Sequence, residues 1–445
     1  MRTIHAPLWM VTVGFCAAGC GEPTSDPGPQ PHVSEIDTVP TVDKVDLLLV
    51  VDNSISMADK QAILAPSVRR LLTSLINPPC VDGSGSPSAT QPAGPSEACP
   101  AGFSRASEPV DDLHVGIISS SLGDLGTGAC GQLSLLYPDD KAHLLARGPG
   151  GGVVETYRDL GFLAWDPNGE LSPPGESDFE ALLQKAEQMI LGVDEVGCGY
   201  EMPLEATYRF LADPDPYEEL VKGHDGTLTR VGTDDVLLAQ RAAFIRPDSF
   251  VGVVLLSDEN DCSIDVATQG HMLFGAPFYR PTSACATDPN DPCCTSCGLP
   301  TPEGCAADPA CDTPRYTQGE DHQNLKCWDQ KRRYGVEFRY PTARYVNALS
   351  SPTIDPANPD LAPGETSVSN PLFASGRHVQ HVSLTAIVGV PWQDLVVNPS
   401  DPTSALKTTS QMEADGTWSW IVGDAPADPF MVQSVVPRSD RKSVV

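Results

Sequence analysis

Val45–Val51, VDLLLVV, constrains this chain more than any other stretch. Seven consecutive residues carry no polar side chain except Asp46, and Asp52-Asn53-Ser54-Ile55-Ser56 follows at once. A half-exposed strand alternates apolar and polar residues. An unbroken apolar run of this length instead predicts a strand buried on both faces, as in the parallel sheet of an α/β protein. The polar turn then falls just beyond the strand's carboxyl end, where open α/β sheets hold their ligands. Asp52, Ser54 and Ser56 at alternate positions offer one carboxylate and two hydroxyls. Such hard oxygen donors suit Mg²⁺, Mn²⁺ or Ca²⁺.

A second stretch of the same kind is Ser249–Leu256, SFVGVVLL, which runs directly into Ser257-Asp258-Glu259-Asn260-Asp261-Cys262. Two buried strands, each ending in an acidic turn, place Asp52 and Asp258 side by side at one sheet edge. Further strands are expected at His114–Ser121, Thr156–Trp165 and His381–Val390, with an edge strand at Thr417–Val422. Helical spacing of apolar residues marks Ala58–Ile76, Asp178–Leu191, Pro203–Ala212, Asp234–Phe244 and Tyr334–Leu349. Pro78-Pro79 stops the first of these. The glycines of Gly148–Gly152 lack a following Lys-Ser/Thr and a GxGxxG frame, so they are not read as a phosphate loop.

Composition narrows the setting. A net charge of −31 argues against a nucleic-acid backbone or an anionic lipid surface as partner. Fourteen cysteines point outside the cytoplasm. Arg2 begins a short n-region, and Ala6–Gly19 is apolar but too short to span a bilayer. Ala17-Ala18-Gly19-Cys20 resembles a bacterial lipobox, with Ala17 where Leu is usual. The resemblance implies cleavage before Cys20, acylation of its thiol, and membrane attachment through that anchor alone. Gly21 in place of Asp after the Cys implies sorting to the outer membrane or cell surface, with a periplasmic face as the alternative. Residues 1–20 are thus a lipoprotein signal, 21–42 a Pro-rich tether, and 43–436 one domain. Asp440–Val445, DRKSVV, resembles translated sequencing adapter, so 437–445 is read as an artefactual tail beyond which the natural chain continues.

Without Cys16 and Cys20, twelve cysteines remain, eight of them in an insertion at 262–328. The insertion shows little periodicity, so covalent links rather than a core are expected to hold it. Cys285, Cys293, Cys294, Cys297, Cys305 and Cys311 are compatible with zinc, but disulfides are the better reading in an exported chain. Cys80–Cys99 is the one local pairing expected. Cys198 and Cys262 flank the acidic turns, and a bridge between them or to Cys130 would stiffen the site.

Asp52-x-Ser54-x-Ser56 after VDLLLVV, with VVLLSDEND later, resembles a von Willebrand factor type A (vWA) domain, and in particular the secreted lipoproteins of Gram-negative bacteria that carry one. The resemblance covers roughly Val45–Val390. It implies a doubly wound, mostly parallel α/β sheet and a metal-ion-dependent adhesion site. There Ser54 and Ser56 bind the cation directly, and Asp52 and Asp258 bind it directly or through water. Mg²⁺ is the first expectation, with Ca²⁺ or Mn²⁺ as alternatives. An open coordination position would take an acidic residue of a protein partner. The family's usual Thr ligand is missing from Gly197–Glu201, where Glu201 is the candidate substitute; Thr207 is expected to point elsewhere. Glu259 and Asp261 either join the site or form a solvated acidic loop. No GxSxG turn surrounds Ser54, so the chain is read as no enzyme. The alternatives are a structural surface module with a degenerate metal site and a metal-assisted hydrolase using Asp258, Glu259 and Asp261.

Overall fold

The structure, a computed structural model, describes residues 43–130, 139–224, 226–268, 270, 272–355, 366–390, 392–401 and 403–422. The signal segment with Cys20, the tether and the closing tail lie outside these residues. Five strands form the central sheet: β1 (Lys44–Val51), β2 (Asp112–Ser119), β3 (Phe162–Trp165), β4 (Phe250–Ser257) and β5 (Val382–Val388). Their order is β5-β4-β1-β2-β3, parallel throughout except for the antiparallel edge strand β3. The fold is therefore mixed α/β around a mostly parallel sheet.

β1 sits at the centre and explains its own sequence. Leu47, Leu49 and Val51 face one core, against Leu64, Val68 and Leu72 of α1 (Ala58–Ile76) and Leu182, Ala186 and Met189 of α2 (Phe179–Leu191). Leu48 and Val50 face the other, against Ala206 and Phe210 of α3 (Pro203–Leu211) and Leu237 and Phe244 of α4 (Asp235–Phe244). With both faces covered, alternation has no use and the run is apolar throughout. The helix starts follow capping chemistry: the Asp178 carboxylate accepts from the Ala181 N–H, and Asp234 from the Leu237 N–H.

Asp46 is the exception within the run and is wholly buried. Its carboxylate accepts from the Arg246 backbone N–H and Nε, both at 2.8 Å, and from the Ser249 hydroxyl. A buried charge survives only when paired in this way. The cluster pins the amino end of β1, opposite the end that carries Asp52.

Four sequence expectations need correction. Thr156–Trp165 is a strand only over Phe162–Trp165, with a 3-10 turn at Tyr157–Asp159 before it. Tyr334–Leu349 is not one helix: Gln330–Tyr334 and Thr342–Ser350 are separate. Gly335 ends the first in the left-handed region at φ 74°, and Pro341 precedes the second. Thr417–Val422 is helical rather than an edge strand. The Asp415 carboxylate accepts from the Thr417 N–H at 3.0 Å and starts the turn, which buries Ile421. The insertion also has more than covalent support. Its Leu273 and Phe274 are buried in the same core as α3 and α4, and its Phe278 packs edge-on against Tyr334 and Phe338, core residues just beyond the insertion.

All twelve expected cysteines pair. Cys80–Cys99 forms as anticipated, and Cys130–Cys198 realises the second option for Cys198. Cys262 bonds Cys327, and the six zinc-compatible cysteines form Cys285–Cys294, Cys293–Cys305 and Cys297–Cys311.

Candidate functional site

The parallel register brings the carboxyl ends of β1, β2 and β4 level, pairing Val51 with Ser119 on one side and Leu256 on the other. The ladder extends one step further, through Asp52 N–H to Leu256 O at 3.0 Å and Ser120 N–H to Val51 O at 3.1 Å. Asp52 is thereby fixed in a fully buried position between two turns. Its Oδ1 accepts from the Ser54 N–H at 2.8 Å, and its Oδ2 from the Ser257 hydroxyl at 2.7 Å.

The hydroxyls continue the arrangement. Ser54 Oγ and Ser56 Oγ are 2.9 Å apart, and the Ser56 hydroxyl donates to Asp258 Oδ1 at 2.8 Å. Residues 202 positions apart in sequence thus meet through one hydrogen bond. Ile55, between the two serines, is 85 % exposed and stands at the tip of the turn. Lys60, from the first turn of α1, donates to the Ser56 carbonyl at 2.8 Å and pairs with Asp258 Oδ2 at 3.1 Å.

Glu201 comes from the loop before α3 and is wholly buried. Its Oε2 accepts from the Ser120 hydroxyl, while its Oε1 has no partner among the described residues. Burial, and then the Asp52 carboxylate beside it, hold the Glu201 carboxyl well above the usual carboxylate range. Burial also raises Asp52, with Asp258 adding to the effect against the Ser257 and Ser54 hydrogen bonds. Glu259, with its Oε1 at 3.5 Å from Ser56 Oγ, is pushed up to about 7 by burial and by the Asp52 and Asp258 charges.

Asp52, Ser54, Ser56 and Asp258 therefore come together, with Glu201 and Glu259 crowding the same place. Asp261 turns away: its Oδ2 accepts from the Leu204 N–H at 3.1 Å and from the Ser263 hydroxyl, at the start of α3. Thr207 bonds the Pro203 carbonyl at 2.7 Å, away from the site as expected. Ser257, Ser120 and Lys60 were not singled out in the sequence. A polar residue on either side of a buried strand's end was the only available signal for the two serines.

Among the described residues no three His, Cys, Asp or Glu side chains are grouped so as to hold a metal ion. A cation here thus depends on the Ser54 and Ser56 hydroxyls as donors. The spacing suits that role. Metal–oxygen distances of 2.0–2.1 Å in an octahedron set neighbouring ligand oxygens about 2.9 Å apart, and the two contacts at Ser56 Oγ are 2.9 and 2.8 Å. Glu201, whose buried Oε1 has no hydrogen-bond partner among the described residues, is a further oxygen donor near Asp52.

The chain contains a second Asp-x-Ser-x-Ser, Asp82-Gly83-Ser84-Gly85-Ser86, which serves as an internal comparison. Its Asp82 Oδ1 also accepts from the Ser84 N–H at 2.8 Å, and its hydroxyls are 3.1 Å apart. Yet it lies on an exposed loop. The spacing alone folds this turn; a buried strand and a facing acidic turn are what distinguish Asp52–Ser56.

Comparison of the chain with family models, curated proteins and solved structures finds no match. Within the described residues no helix is long and apolar enough to cross a membrane.

Proposed function

We propose that this chain is an exported, lipid-anchored protein whose doubly wound, vWA-like domain recognises a protein partner through a divalent cation. The carrying observation is the junction of Ser54, Ser56 and Asp258 at the carboxyl ends of adjacent parallel strands. The strand order 3-2-1-4-5, with helices on both faces, supports the doubly wound reading. Asp52, Ser54, Ser56 and Asp258 would hold the cation, Mg²⁺ first, with the Glu201 carboxyl nearby. The ion supplies a Lewis-acidic position for an oxygen of the partner, such as an acidic side chain. The chain's own residues do the rest: Ser257 orients Asp52, Ser56 orients Asp258, and exposed Ile55 offers an apolar contact beside them.

One observation favours a second reading, a structural surface module that needs no metal. The Lys60 ammonium already lies 3.1 Å from Asp258 and supplies a positive charge there. Calorimetric titration with Mg²⁺, Mn²⁺ and Ca²⁺, beside an Asp52→Ala, Ser54→Ala variant, decides between them. Saturable binding lost in the variant is expected. Its absence in the unaltered protein would favour the module.

A further inference from the structure

A cavity of about 910 Å³ lies between the disulfide-rich insertion and Trp328–Arg339, and Asn260 of the acidic turn lines it as well. That volume is in the range of ligand pockets. From its residues we infer that this cavity is a docking site for an acidic peptide segment of a partner, one with an apolar residue beside the acid.

Charge is the first argument. In a chain of net charge −31, this cavity is lined by three cations, Lys331, Arg332 and Arg339, against two carboxylates, Asp329 and Glu337. Arg339 pairs with Glu337 at 2.7 Å and Arg332 with Asp329 at 3.4 Å. Lys331 Nζ donates to the Gly335 carbonyl at 3.3 Å and has no carboxylate in ion-pair contact among the described residues. One positive charge is left over for an incoming anion. Trp328, Val336 and Leu299, the last 54 % exposed, supply apolar surface in the same cavity. A charged group beside an apolar anchor is the pattern of an energetically central contact.

Rigidity is the second argument. Cys285–Cys294 and Cys293–Cys305 brace one wall. Gly335 joins that wall to the other so closely that a Cβ there would lie 2.1 Å from the Thr295 carbonyl carbon. A preformed cavity spares a ligand the entropy of ordering its walls.

Position is the third, and it rests on the proposed cation site. Asn260 stands two residues from Asp258, and Cys262 in the same segment is bonded to Cys327, next to Trp328. One covalent frame therefore holds both the acidic turn and the cavity. A partner segment seated in the cavity would run towards Asp258.

The test is selection of a random-peptide display library on the full chain, with Mg²⁺ and with chelator. It is run in parallel on Lys331→Glu, Arg332→Glu and on Leu299→Asp, an exposed position, and thermal unfolding establishes that both variants fold. Peptides pairing an acidic with an apolar residue are expected to be enriched by the unaltered protein. Each cavity variant should reduce their binding by about tenfold or more, as for a central contact. Enrichment without acidic bias, or enrichment that both variants retain, overturns the inference. If retained enrichment vanishes with chelator and in Asp52→Ala, Ser54→Ala, the cation reading stands and the cavity falls. Enrichment indifferent to chelator but lost in the cavity variants supports the cavity and removes the cation reading.

Discussion

Gly197→Ala tests the link between the loop that carries Glu201 and the turn that carries Asp52. Gly197 donates its N–H to the Asn53 carbonyl at 3.0 Å. A Cβ added there would lie 2.1 Å from Asn53 Oδ1, 2.2 Å from Cγ and 2.4 Å from Nδ2. Contact distances of about 3.5 Å are ordinary, so the Asn53 side chain must retreat by an ångström or more. It is wholly buried between Asp52 and Ser54, and both its amide atoms lack partners among the described residues. Overpacking a site of this kind costs about 1–3 kcal/mol. With a urea slope of about 2–3 kcal/mol/M, the unfolding midpoint falls by about 0.3–1.5 M. Displacement of that size exceeds the roughly 0.5 Å within which a binding constellation must be held. Mg²⁺ binding by calorimetry should therefore fall along with stability. Gly199→Ala is the control, because nothing lies within 4 Å of a Cβ in that position of the same loop. If Gly197→Ala matches Gly199→Ala in both midpoint and cation binding, the packing argument is wrong.

Three other outcomes are expected. Asp46→Ala strips acceptors from Arg246 and Ser249 in a buried setting and should destabilise by about 3–5 kcal/mol in denaturant unfolding; a loss under about 1 kcal/mol would show the cluster to be dispensable. Lys60→Ala removes the ammonium that competes for Asp258, an exposed pair of about 0.2–1 kcal/mol, so Mg²⁺ affinity rises by up to about fivefold; a weaker cation affinity would contradict that competition. Glu259 holds its proton to about 7 in the folded chain, whereas the unfolded chain releases it near the ordinary carboxylate value. In chelator, its contribution is present at acid pH and is lost as pH rises towards 7. Thermal melts across that window should slope downward, and more shallowly in Glu259→Gln; equal slopes would exclude Glu259 as the source.

The core of the fold was legible because burial on two faces writes itself into composition. Val45–Val51 and Ser249–Leu256 are apolar without alternation, and the structure places them as neighbours in the sheet centre. β5 was legible as a strand, but its position was not. Leu384, Ile387 and Val388 remain exposed on a sheet edge, where an apolar run would otherwise argue for burial. Thr417–Val422 has strand-like residues in a helical segment, since a start set by Asp415 overrides weak β preference.

The site divides along the same line. Local sequence determined the Asp52–Ser54–Ser56 turn, because a carboxylate bonding the N–H two residues on needs nothing beyond its own neighbours. The chain demonstrates this by folding the same turn again at Asp82–Ser86, on an exposed loop outside the central sheet. Only the tertiary structure decided that Ser56 meets Asp258, that Ser257 holds Asp52, and that Glu201 is buried with one oxygen unpartnered. It alone also chose Cys130 for Cys198 and closed a cavity beside Asn260. Those contacts join segments tens to hundreds of residues apart, and their partners are selected by strand register and packing, which no local pattern encodes.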